Sequence, residues 1–90
     1  MEIDYESLPE HMRSSTRDYI EHGTRPGSFM EAVICNDLRK AVVRADYINE
    51  KRLKDWVLFF YNITPTHCYG SKEQMEMWIG SGGLHGLEGE

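Results

Sequence analysis

Apolar positions recur at helical spacing in four stretches of this chain, and each stretch opens on a hydroxyl or acidic residue suited to capping. The most informative runs from Pro26 to Asp46. Ser28 to Glu31 has the Ser-x-x-Glu spacing of a capping box, so a helix is predicted from Phe29. At about 100° per residue, Met30, Ile34, Leu38, Ala41, Val42 and Ala45 share one face, which is assigned to the core. The opposite face holds Phe29, Ala32, Val33, Asn36, Asp37, Lys40, Val43 and Arg44. A solvated face does not ordinarily carry Phe29, Val33 and Val43 among its charges. This mixed face therefore predicts a subunit interface or a ligand wall.

The other stretches are simpler. Ser7 to Glu10 is a second capping box with Pro9 in its first turn, predicting a helix to about His22 with Gly23 as its C′ residue. Its apolar stripe of Met12, Tyr19 and Ile20 is thin and its middle polar, which places it on the surface. Asp46 reads as the N-cap of a third helix, Tyr47 to Tyr61. The competing reading, one helix from Phe29 to Tyr61, far exceeds the usual length of about 12 residues. Leu53, Trp56, Val57 and Phe60 form the core stripe of this third helix, and Leu58, Phe59 and Tyr61 widen it until its end reads as buried nearly all round. Pro65 sits in a loop, and Ser71 to Gln74 caps a short fourth helix with Met75, Trp78 and Ile79 inward. Five glycines among the last eleven residues predict a flexible tail. The expectation is an all-α domain of four helices over residues 1–79, with a Gly-rich tail over 80–90.

Composition sharpens this picture. Apolar residues make up 40% and aromatics 11%, enough for a core and too many for a disordered chain. Ninety residues lie near the lower end of what one core stabilises unaided, so a homo-oligomer is expected. The formal charge of −5 argues against duplex nucleic acid as a partner. The longest apolar run, Trp56 to Tyr61, falls far short of the roughly 18–20 residues of a membrane span, and the sequence opens on no signal peptide. Cys35 and Cys68 are too few and too far apart for a disulfide framework and read as reduced thiols. A cytoplasmic protein with no membrane partner follows as the expectation.

Candidate chemistry is sparse. Gly27-Ser28 and Gly70-Ser71 set a glycine and a hydroxyl at helix starts, where free N–H groups favour anions, with Arg25 and Lys72 nearby. Plain capping accounts for the same residues, and the P-loop spacing is absent. Asp37 and Arg44 lie on one side of the same predicted helix, with Lys40 between them. Arg44 offers a planar fork to phosphate or carboxylate, or an ordinary ion pair. Asn36 suits a sugar or base edge, or water. Tyr61 and Tyr69 are candidates for stacking. His67-Cys68 is the only close pair of soft ligands, and His11, His22 and His85 are far apart with no metal-ligand spacing. No metal, no cofactor and no catalytic residue is expected.

The segments Arg17-Asp18-Tyr19-Ile20-Glu21-His22-Gly23, Pro26-Gly27-Ser28-Phe29, Ala32-Val33, Asn36-Asp37-Leu38 and Arg44-Ala45-Asp46 form a pattern that continues through Tyr61-Asn62, Pro65, Cys68, Gly70-Ser71 and Trp78-Ile79. It resembles a family of small helical proteins, without an assigned activity, encoded by tailed phages and prophages. The resemblance implies a helical fold and an accessory role in the host cytoplasm, in host takeover or counter-defence. Binding without catalysis is expected, foremost sequestration of a nucleotide-type signalling molecule by Arg25, Ser28, Asn36, Asp37, Arg44 and Tyr61. The alternative is a protein-binding inhibitor of a host enzyme or regulator.

Overall fold

The computed structural model describes residues 3–88, and these form an all-α fold. The helices are α1 (Arg13–His22), α2 (Ser28–Ile34), α3 (Leu38–Arg44), α4 (Tyr47–Lys51), α5 (Leu53–Asn62), α6 (Lys72–Ser81) and α7 (Gly83–Glu88). Short 3₁₀ turns stand at Glu10–Met12 and Thr66–Cys68. Each predicted stretch is helical, but the second and third are each broken in two.

The break in the second stretch has a local cause. Asn36 adopts a left-handed φ of 62°. Its N–H reaches the Val33 carbonyl while the Asp37 N–H reaches the Ala32 carbonyl, a Schellman stop for α2. Asp37 then caps α3, accepting from the Lys40 N–H at 3.0 Å. Restarting the helix out of phase discards the predicted stripe. Met30, Ile34 and Ala41 are buried as expected, whereas Leu38 is 73% exposed and Val42 also faces out. Phe29 and Ala32, assigned to the outer face, are buried instead.

Other boundaries divide in the same way between expected and unexpected. Asp46 does cap α4, accepting from the Asn49 N–H at 2.7 Å, and Ser71 caps α6 through the Gln74 N–H at 3.1 Å. Gly23 closes α1 in the left-handed conformation. Neither Ser7 nor Ser28 caps a helix with its side chain: Pro9 and Gly27 hold the N-cap positions there. The chain turns again at Arg52, which separates α4 from α5. On α5 Phe59 is buried in place of Val57, and the last turn leaves Leu58 and Tyr61 exposed, contrary to the expected all-round burial.

The core gathers on Trp56, Tyr19, Phe59, Leu8, Ile20, Met30, Ile34 and Met75, all fully buried. Thus α1, expected on the surface, supplies part of the centre. Thr16, in its polar middle, is buried because its hydroxyl donates to the Met12 carbonyl at 2.7 Å. Tyr19 donates to the Cys68 carbonyl at 2.6 Å, and the Trp78 indole donates to the Tyr19 carbonyl at 3.0 Å. The Trp56 indole is satisfied by the buried Asn49 amide oxygen at 3.1 Å.

The glycine-rich end is not an irregular tail. Gly82 and Gly83, both at positive φ, reverse the chain so that α7 lies against α1. A Cβ on Gly83 would stand 2.7 Å from the backbone of Glu21, His22 and Gly23, so glycine alone permits this approach. Leu84 packs against the core from α7. The last two residues of the predicted tail lie outside the described residues.

Candidate functional site

The six residues expected to share a ligand are placed apart and largely committed to the fold. Arg25 forks onto the Glu76 carboxylate with bonds of 3.0 and 2.7 Å, and that pairing holds the Glu76 carboxyl below its ordinary range. Ser28 begins α2 on the surface. Asn36 donates to the Gly70 carbonyl at 3.2 Å, tying the α2–α3 corner to the start of α6, and Asp37 is the cap of α3. Arg44 and Tyr61 are exposed on α3 and α5. Only Asn36 and Asp37, of the six, line a common hollow.

That hollow is a groove of about 100 Å³ between the α2–α3 corner and α5. Ala32, Val33, Leu38 and Ala41 line it from α2 and α3, Leu53 and Val57 from α5, and Asn36 and Asp37 from the corner between α2 and α3. Helical spacing continues the apolar rims outward, from Leu38 to Val42 on α3 and from Val57 to Tyr61 on α5. Arg39 and Lys54, next in sequence to the lining residues Leu38 and Leu53, are both exposed and, among the described residues, without an ion-pair partner.

The groove belongs to a segment unlike the rest of the chain. Among the described residues, eight of the nine exposed large apolar side chains lie between Leu38 and Tyr61, Met77 being the ninth. Six of the ten basic residues lie between Leu38 and Lys54, against two of the fifteen acids. A locally basic, apolar surface is therefore set on an otherwise strongly acidic protein. The charge signal is present in the residue order; its apolar part is hidden where Leu38 and Val42 read inward on a helix continued through Asn36.

A wider and shallower hollow of about 550 Å³ is lined by Pro9, Glu10, His11, Ile48 and Arg52. Two of its polar side chains are already engaged by residues outside the lining. His11 meets Asp46 at 2.9 Å, and Arg52 bonds to Asp55 and to the Ser7 carbonyl. The Asn49 N–H, then His11, hold the Asp46 carboxyl below its ordinary range.

Cys68 is fully buried, and burial pushes its thiol up to about 11. A protonated, inaccessible thiol is a poor nucleophile, and the adjacent His67 points to solvent. Cys35, half-buried, is also raised, chiefly by burial. The two thiols are not bonded to each other.

A different cluster forms where α7 meets α1. One ligand atom each from Glu21, His22 and His85 lies within 4.8 Å of the others. The two imidazoles meet edge to face at 4.4 Å between centroids, and His85 Nε2 stands 3.6 Å from Glu21 Oε1. The histidines lie 63 positions apart in the chain, so no short-range spacing could have announced the pair. Elsewhere, no described helix is long and apolar enough to cross a membrane. Comparison of the chain with protein-family models, with curated proteins and with solved structures gives no match in any of the three.

Proposed function

We propose that this chain acts by binding another protein, as a phage accessory factor, and that its α3–α5 groove receives an acidic amphipathic helix. The observation that carries the reading is the groove's size and lining. At about 100 Å³ it is smaller than the roughly 300 Å³ at which small-molecule pockets begin, yet it suits an apolar side chain projecting from a partner helix. Of the two expectations from the sequence, this groove suits protein binding better than nucleotide sequestration.

The chemistry of the partner follows from the rims. Apolar residues would fill the space between Leu38 and Val57, and flanking carboxylates would meet Arg39 and Lys54. An anionic membrane would satisfy the charges, but a bilayer surface offers no ridge to occupy a concave groove. Sequestering a partner requires complementarity and no nucleophile, which agrees with a buried, protonated Cys68.

The test uses a fluorescent acidic amphipathic peptide of about five helical turns, read by anisotropy. Binding should weaken as salt rises and disappear in Val57→Asp, while a nucleotide panel leaves the melting temperature unchanged. Absence of peptide binding at millimolar concentration overturns the proposal, as does a nucleotide that stabilises the fold. So does a wild-type dimer that Val57→Asp dissociates, because the groove would then belong to a second copy of the chain.

A further inference from the structure

We propose that Glu21, His22 and His85 form a binding site for a borderline divalent metal ion, with Zn²⁺ the first candidate, and that the ion fastens α7 to α1. Two imidazoles and one carboxylate are a donor set such ions accept, with water completing a four-coordinate shell. At metal–ligand distances of about 2.0–2.1 Å, tetrahedral ligand atoms stand roughly 3.3 Å apart. The three donors lie within 4.8 Å of one another, and the imidazoles are exposed side chains free to turn by the remaining distance.

Two features make this more than a chance meeting of polar residues. The first is the backbone beneath it. Gly83 approaches Glu21, His22 and Gly23 more closely than any side-chain-bearing residue allows, so the position of His85 beside His22 is fixed by the α6–α7 turn. The second is the support of the carboxylate. Tyr5 donates to Glu21 Oε2 at 3.0 Å, and Arg17 stands 3.9 Å from the same oxygen. That arrangement orients the half-buried Glu21 and leaves Oε1 directed toward His85, as outer-shell partners do in metal sites. Tyr5 is itself buried, so its hydroxyl is a fixed element of the fold.

The site is independent of the α3–α5 groove and needs no partner protein. Titration of the metal-free chain with ZnCl₂ should raise the melting temperature, reversibly with EDTA, and slow amide exchange in α7. Co²⁺ in place of Zn²⁺ should give the visible absorption of a low-coordinate site. His22→Ala and His85→Ala, both surface changes, should fold and weaken Zn²⁺ binding by at least ~10-fold, the loss expected even from an outer-shell change. Tyr5→Phe should weaken it less, and His67→Ala not at all. Two results overturn the proposal: Zn²⁺ leaves the wild-type melt and α7 exchange unchanged, or both single histidine variants bind as tightly as wild type.

Discussion

The two sides of this small domain are built on opposite plans. Where α1, α6 and α7 meet, large side chains are buried and their polar ends are answered: Tyr19 by the Cys68 carbonyl, the Trp78 indole by the Tyr19 carbonyl. Around α3 and α5, apolar side chains such as Leu38, Val43, Val57 and Tyr61 stand in solvent, and Arg39 and Lys54 have no ion-pair partner among the described residues. One side is complete in itself and the other is not. A chain this short has few apolar residues to spare, so leaving eight exposed in one segment marks that segment as a surface for something else.

The sharpest way to break the contrast is to damage the closed side. Trp78→Ala removes a buried indole and its hydrogen bond to the Tyr19 carbonyl, leaving a cavity where α1 and α6 join. A loss of about 3–5 kcal/mol is expected from urea unfolding, enough to unfold much of a marginal domain.

Raising the pH tests the same side without a mutation. The Cys68 thiol ionises only near 11 in the folded chain, above its ordinary value of 9.0, because burial disfavours the thiolate. Burial likewise raises the Tyr5 and Tyr19 hydroxyls. For a group raised in the folded state, the stabilisation is whole below the unfolded value and is lost as pH climbs toward the folded one. For Cys68 the two-unit gap corresponds to about 2–3 kcal/mol. Stability should therefore fall between pH 9 and 11, and Cys68→Ala should make that fall shallower, the two tyrosines still contributing above their ordinary value of 10.0.

Tyr19→Phe is a smaller step. It keeps the ring but leaves the Cys68 carbonyl, buried with its residue, without the tyrosine donor, costing roughly 1–2 kcal/mol. Equal stability would show that the 2.6 Å hydrogen bond is replaceable and that packing alone closes this side.

How much of this was legible follows the range of the signals. Gly23, Asp46 and Ser71 act through neighbours within a few residues, and each marks in the sequence the helix boundary it makes in the fold. Asn36 and Asp37 act over the same short range, but an Asn-Asp pair inside an apolar periodicity suits a ligand as well as a Schellman stop followed by an Asp cap. The break there rotates α3 and puts Leu38 and Val42 on the surface in place of the core. The burial of Thr16 depended on the Met12 carbonyl being free to accept, and the meeting of His22 with His85 on glycines at the far end of the chain. Neither is a property of local spacing.

The smallest expected effect on stability is also the most discriminating for the open side. Leu38→Asp replaces a side chain that is 73% exposed at the first turn of α3, where a carboxylate suits the positive helix end. The folded chain gives up almost no buried apolar area, so the unfolding free energy should stay within about 0.5 kcal/mol of wild type. Peptide binding should nevertheless be lost, since the substitution sets a negative charge on the apolar rim of the groove. If the variant instead melts much earlier, and the wild-type midpoint rises with protein concentration, Leu38 is buried in solution against another copy of the chain. The incomplete side would then be completed by self-association, and an acidic helix would have no place to dock.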